Sequence, residues 1–268
     1  RGALYAVYEF LESVVGCRWW TAAEEHVPSL ERLTTAPLDR SHTPPIRYRE
    51  LWYRDAFDGL FAARLRLNGH HQPVPDTHGG HYSILGFVHT FYTLLPPARY
   101  FDDHPEWYSE IEGQRTHAHA QLCLTNEAMR EELTRNALEW LRGTPDAGYI
   151  SISQNDWHGR CECAACRALE DVEGSPSGPL IHFVNKVAEA IEAEFPEVLV
   201  ETLAYQYTRQ APERVRPRDN VLIRLCSIEC SFAEPHTADV NAAFRADIEA
   251  WSAISSQLFV WDYVANFS

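Results

Sequence analysis

Gly148-Tyr149-Ile150-Ser151-Ile152-Ser153 is a short β-branched run that continues without a break into Gln154-Asn155-Asp156-Trp157-His158. A strand that ends in amide, carboxylate and indole groups fits a parallel sheet whose C-terminal edge carries chemistry. The pattern recurs downstream. Residues 198–205 (VLVETLAY) lead into Tyr205-Gln206-Tyr207, residues 220–228 (NVLIRLCSI) lead into Glu229, and the run 258–264 carries Asp262 and Tyr263 near its end. Upstream, 47–53 (RYRELWY) and 84–89 (ILGFVH) also read as strands, and residues 58–67, 126–142, 178–195 and 240–254 have apolar groups at helical spacing. Alternation of this kind predicts an α/β chain with helices covering a parallel sheet. About seven βα units favour a (β/α)8 TIM-type barrel with its last unit absent. No dinucleotide fingerprint follows the first strand, which argues against an open doubly wound sheet.

Residues 3–15 (ALYAVYEFLESVV) predict an amphipathic helix with Gly16 at its C-cap position. Residues 23–45 lack periodicity and end in Thr43-Pro44-Pro45. The expected division is therefore a terminal helical piece at 1–22, a linker at 23–45 and the barrel at 46–268. Arg1 in place of Met, a helix with no N-cap before it, and an apolar final run 258–267 with nothing to cover it make both ends read as cut.

The 268 residues are 45% hydrophobic and 23% charged, a mixture that suits one large core and excludes a disordered or fibrous chain. A net charge of −15 leaves no basic footprint for a phosphate backbone, so nucleic acid is excluded as a partner. No apolar run reaches the roughly 18 to 20 residues that span a bilayer. There is no Gly-rich phosphate cradle and no GxSxG elbow.

Cys161-Glu162-Cys163-Ala164-Ala165-Cys166 puts three thiols in six residues. Cys161, Cys163 and Cys166 suit a tetrahedral structural metal if His158, Cys226 or Cys230 supplies a fourth ligand, and they suit a disulfide equally well in an oxidising compartment. A single C-x-C-x-x-C does not choose between the two, so no metal and no cofactor are assigned. His70, His71, His78, His81, His117 and His119 lie in loops without a completing ligand set and read as solvated or rim residues.

GALYAVYEFLE with RWW, GFVHTFY, HPEWYS, QLCLTN, SISQNDWHGRCECAAC, ETLAYQYT, RLCSIEC and WDYVANF together carry a resemblance over nearly the full chain. The sequence resembles glycoside hydrolase family 163, formerly domain of unknown function 4838, and its opening is similar in layout to family 20 hexosaminidases and family 67 α-glucuronidases. The resemblance implies a small α/β domain ahead of a barrel. It implies endo-β-N-acetylglucosaminidase activity on complex N-glycans, an oligosaccharide or glycoprotein glycan as partner, and an exported protein.

Glycoside hydrolysis requires two carboxyl groups, and a 2-acetamido substrate can replace one of them as nucleophile by its own carbonyl oxygen. Glu229, between Ile228 and Cys230, is the expected general acid, because an apolar setting raises a carboxyl's pKa. Asp156 is the expected partner that orients the acetamido group, and Asp262 is the third candidate. Trp157, Tyr205, Tyr207, Trp261 and Tyr263 offer faces for sugar rings; His89, Gln154, Asn155 and Gln206 offer hydrogen bonds. The rival readings are an exo-hexosaminidase or uronidase on the same barrel, and a carbohydrate-binding pseudoenzyme.

Overall fold

A computed structural model describes residues 1–263, which form two compact units, one of Arg1–Ser83 and one from Ile84 onward. In the first, α1 (Gly2–Phe10) runs on through a π-helical turn, Leu11–Val15, and Gly16 ends it with a left-handed φ of 91°, a conformation glycine adopts without steric cost. β1 (Arg18–Trp19) pairs antiparallel with β2 (Glu25–His26), and Asp58 caps α2 (Gly59–Arg64) by accepting from Phe61 N at 2.8 Å. Tyr8, Ala56, Ala62, Ala63, Leu67 and Val74 form this unit's core.

Residues 47–53 are not a strand. Their backbone is held by side chains in place of a ladder: Arg49 N donates to Asn68 Oδ1 at 2.8 Å, Asn68 N returns to Arg49 O at 3.0 Å, and the Tyr48 hydroxyl accepts from His70 N at 2.8 Å. The segment belongs to the first unit. The units divide at 83/84, whereas the proline-rich stretch at 43–45, from which the sequence drew its boundary, is an irregular segment inside the first unit.

The second unit is a mixed α/β structure around a five-stranded parallel sheet. It opens with β3 (Ile84–Leu85), the short helices α3 (Phe91–Leu94) and α4 (Pro97–Tyr100), and a hairpin of β4 (Glu110–Ile111) and β5 (Gln114–Arg115). Then follow α5 (Glu127–Arg142), β6 (Tyr149–Ser151), α6 (Ala164–Glu173), α7 (Ser177–Glu194), β7 (Leu199–Ala204), β8 (Val221–Cys226), α8 (Ala242–Ile254) and β9 (Leu258–Trp261). The sheet order is β3-β6-β7-β8-β9 and every pairing is parallel, with Ile150 opposite Val200, Val200 opposite Val221 and Ile223 opposite Leu258. Val264, the last residue of the expected final strand, lies outside the described residues.

Side chains alternate across this sheet. Ile150, Ile152, Val200, Ala204, Ile223 and Leu225 face the helices and pack with Met129 and Leu133 of α5, Val184 and Val187 of α7, and Trp251 of α8. Burial of each Ile, Val, Leu or Met among these contributes about 1.5 to 3 kcal/mol against a side chain left in water. The opposite row holds Ser151, Glu201, Leu203, Arg224, Cys226 and Trp261, and this row leads to the candidate site. Nothing in the sequence announces the start of α6, whose N-cap is Cys163, a residue without capping character.

Candidate active site

Beneath the C-terminal edge of the sheet lies a buried ion pair. Arg224 Nε is 3.0 Å from Glu201 Oε1, and both side chains are withdrawn from solvent. Burial pushes the Glu201 carboxyl above its usual range, against the pull of Arg224. The Arg224 guanidinium is roofed by the rings of Phe87 and Phe259, each 4.8 Å away, and Trp261 at 5.3 Å. Arg224 thus answers Glu201 across the β7–β8 pairing, on the sheet face that Cys226 shares.

Above that pair, Leu203, Tyr205 and Cys226 cluster with Val88, Trp261 and Tyr263, joining the ends of β7, β8 and β9 to the turn after β3. The Tyr205 hydroxyl donates to Asp156 Oδ1 at 3.0 Å and accepts from Gln206 Nε2 at 2.9 Å. Burial raises the Tyr205 phenol above its ordinary value, and Asp156 adds to the effect, so the hydroxyl keeps its proton. Trp261 and Tyr263 stack at 5.6 Å with an 8° tilt, and Phe232 stacks on Tyr263 at 6.5 Å. Burial raises the Tyr263 phenol too, with Cys226, Tyr205 and Asp156 contributing. Asp156, Tyr205, Trp261 and Tyr263 therefore share one place, reached from three segments, the exits of β6, β7 and β9.

His89 approaches the same place. Its Nδ1 donates to Gln154 O at 2.7 Å, its backbone N donates to Ser153 Oγ at 2.8 Å, and its ring centroid is 6.1 Å from that of Tyr205. With Nδ1–H committed, Nε2 is the acceptor of the neutral ring. The turn that presents it is unusual: Gly86, Phe87 and His89 all have left-handed φ, at 81°, 55° and 58°. A Cβ on Gly86 would meet Thr90 Cγ2 at 2.6 Å and Trp140 Cη2 at 2.8 Å, so glycine is required there.

Glu229 stands apart from its expected setting. It is exposed, as is Ile228, and its Oε2 lies 3.6 Å from Nη1 of Arg209, whose Nε is 2.6 Å from Asp247 Oδ2. The apolar environment read from Ile228 and Cys230 is absent because both flanking side chains leave the carboxyl facing solvent and a guanidinium. Asp262 accepts from Ser227 Oγ at 2.9 Å and from His236 Nε2 at 3.1 Å. Burial pushes the Cys226 thiol up to about 12, and among its neighbours Arg224 opposes while Glu201 and Glu229 reinforce.

Asn155 and Gln154 are internal ties. Asn155 is buried; its Nδ2 donates to Ala120 O at 3.0 Å, and its Oδ1 accepts from Tyr92 N at 3.3 Å. Gln154 Nε2 donates to Thr208 Oγ1 at 2.7 Å. Trp157 is exposed, with Tyr92 and His119 beside it at 5.8 and 5.6 Å. Tyr207 points elsewhere and lines a small pocket with Cys161, Cys166, Arg160 and Glu170.

The three loop cysteines do gain a fourth, but it is Cys123. The sulfurs of Cys123, Cys161, Cys163 and Cys166 all lie within 4.8 Å of one another. His158, Cys226 and Cys230 are not in the group; Cys226 packs with Tyr205 instead. Cys123 precedes Cys163 by 40 positions with no knuckle spacing between them, so only the folded chain reveals it.

Residues 19–268 match the profile of the family described as Domain of unknown function (DUF4838). The chain belongs to this family. No curated protein matches this DUF4838 chain. Among solved structures, it is similar to a GH36 α-galactosidase, AgaA from Geobacillus stearothermophilus, in complex with raffinose. Identity is 12% and the TM-score 0.30, over 63% of this chain and 27% of that one, so the chain spans about a quarter of the enzyme's length. A likeness this distant bears on neither mechanism nor substrate.

Proposed function

We propose that the strand-end cluster is the active site of a retaining glycoside hydrolase that cleaves β-linked N-acetylglucosamine within N-glycans, and that its parallel sheet is an arc of a (β/α)8 barrel. The observation that carries the reading is Asp156 held by the Tyr205 hydroxyl beside the stacked Trp261 and Tyr263 at the C-terminal ends of β6, β7 and β9. Support also comes from the sequence's resemblance to glycoside hydrolase family 163.

In this mechanism Asp156 accepts the acetamido N–H and steadies the charge on it as the acetamido carbonyl oxygen attacks the anomeric carbon. The C1–O bond to the leaving sugar breaks as Glu229 protonates that oxygen. Water then opens the resulting oxazolinium at C1, giving its proton back to Glu229 and restoring the retained configuration. The aromatic pair offers an apolar face to a ring, and His89 Nε2 accepts from a sugar hydroxyl.

The test is incubation of the protein with complex and high-mannose N-glycoproteins, reading released glycans by mass. Release of complex glycans is expected, with Glu229→Gln lowering turnover of the natural substrate about a hundredfold while sparing an activated aryl glycoside. Asp156→Asn is expected to impair both. Glu229→Gln within about threefold of wild type transfers the acid's role to Asp262. The ion pair of Glu229 with Arg209 favours a second reading, a carbohydrate-binding protein without turnover; glycan binding by calorimetry with no release by mass is its signature.

A further inference from the structure

We propose that Cys123, Cys161, Cys163 and Cys166 bind a structural zinc ion that clamps the segment before α5 to the loop carrying Asp156 and Trp157. The distances set the case. Cys123 Sγ lies 3.7 Å from Cys163 Sγ and 3.9 Å from Cys166 Sγ. Four thiolates at a Zn–S length of about 2.3 Å occupy a tetrahedron with edges of about 3.8 Å. A disulfide requires about 2.05 Å, and pairing any two of these sulfurs would strand the other two. Four buried sulfurs that all lie within 4.8 Å of one another match one shared central atom better than they match bonds in pairs.

The surroundings are those of thiolates. Glu110 N donates to Cys161 Sγ at 3.3 Å, and Arg115 Nη1 approaches the same sulfur at 3.6 Å. The Thr125 hydroxyl is 3.2 Å from Cys166 Sγ. Cys163 is the N-cap of α6 and Cys166 lies in its first turn, where unpaired N–H groups and the helix dipole favour negative charge. A zinc tetrathiolate carries a net charge of −2, and a guanidinium, a peptide N–H, a hydroxyl and a helix N-terminus are the groups that offset it. Neutral thiols have no use for them. The sulfur-only tetrahedral set selects zinc over hard cations.

The clamp has a mechanical meaning. Between the two segments, Glu162 N donates to Glu110 O at 2.7 Å and Gln121 N donates to Gly159 O at 3.0 Å, while Gln121 Nε2 bonds Asn155 O at 2.9 Å. These bonds run from the cysteines to the residue before Asp156. Zinc would fix one end of that strip and so hold the catalytic loop without touching substrate.

Elemental analysis of the purified, dialysed protein tests the proposal, and the expected content is one zinc per chain. Titration with a mercurial in the presence of a metallochromic dye should release that zinc in step with loss of four thiolates. Reconstitution with cobalt should give the visible absorption of a tetrahedral tetrathiolate. Cys123→Ser should lower retained zinc about tenfold or more and lower Tm. If that variant does not fold, the wild-type metal content still decides. Wild type that is metal-free with titratable thiols, or lighter by roughly 2 Da per bond from disulfides, or loaded with iron in place of zinc, overturns the proposal.

Discussion

Tyr205 joins two side chains of the candidate site through one hydroxyl that donates to Asp156 and accepts from Gln206. Tyr205→Phe should lower kcat/KM about tenfold, the loss of one hydrogen bond to a charged group, with Tm nearly unchanged; steady-state kinetics beside a melting curve check it. Glu173 shows the same economy in a structural role. Burial alone would raise its carboxyl, but the N–H groups of Val215 and Arg214, each at 2.9 Å, and His182 at 2.8 Å hold it below the usual carboxylate range. A depressed folded pKa means its contribution is complete above the unfolded value of about 4.3 and is lost as pH falls through the folded one. Glu173→Gln should therefore cost about 2 to 3 kcal/mol near neutrality, and the gap from wild type should close on acidification, as denaturant titrations at several pH values will read. The place of Asp156 near the strand-end cluster was legible in the sequence because it closely follows the buried run 148–153. The Arg209 partner of Glu229 was not, since it sits on another strand's exit and nothing in sequence spacing joins them.

β7 and β8 share the longest pairing of the sheet, from Val200 opposite Val221 to Ala204 opposite Leu225, and they carry the Glu201–Arg224 pair on the row away from the helices. Removing either partner leaves a buried charge alone. Glu201→Leu or Arg224→Leu should each cost about 3 to 5 kcal/mol, whereas the double variant should recover much of that loss; a double-mutant cycle in denaturant gives the coupling directly. The long elements were readable from pattern alone. Residues 126–142, 178–195 and 198–205 anticipated α5, α7 and β7 to within a residue or two, because caps such as Asn126 and continuous apolar stripes are local signals. What failed were 47–53, strand-like in composition yet tied by the distant Asn68, and α6, whose N-cap is a cysteine.

At the scale of the molecule, the sequence conveyed the class, helices over a parallel sheet, because strand and helix patterns alternate along the whole second unit. The unit boundary was harder, since the Gly- and Pro-containing stretch 69–80 just before it competes with the Thr43-Pro44-Pro45 stretch as a break. Residues 29–43 are exposed and without regular structure, so trypsin should cut first after Arg32 and Arg40, well before arginines within α5, as mass spectrometry of a time course will show. The turn 86–89 has a further consequence, in the order of folding. Its left-handed Phe87 and His89 cost about 1 to 3 kcal/mol each; Phe87 N bonds locally to Ile84 O at 3.1 Å, whereas His89 and the following Thr90 bond to Ser151, Ser153 and Gln154, more than 60 positions along the chain. The part of the turn that presents His89 leans on these distant bonds and is completed once β6 is in place. Ser153→Ala should then speed unfolding while leaving the refolding rate almost unchanged, so the turn that presents His89 closes after the folding barrier has been crossed.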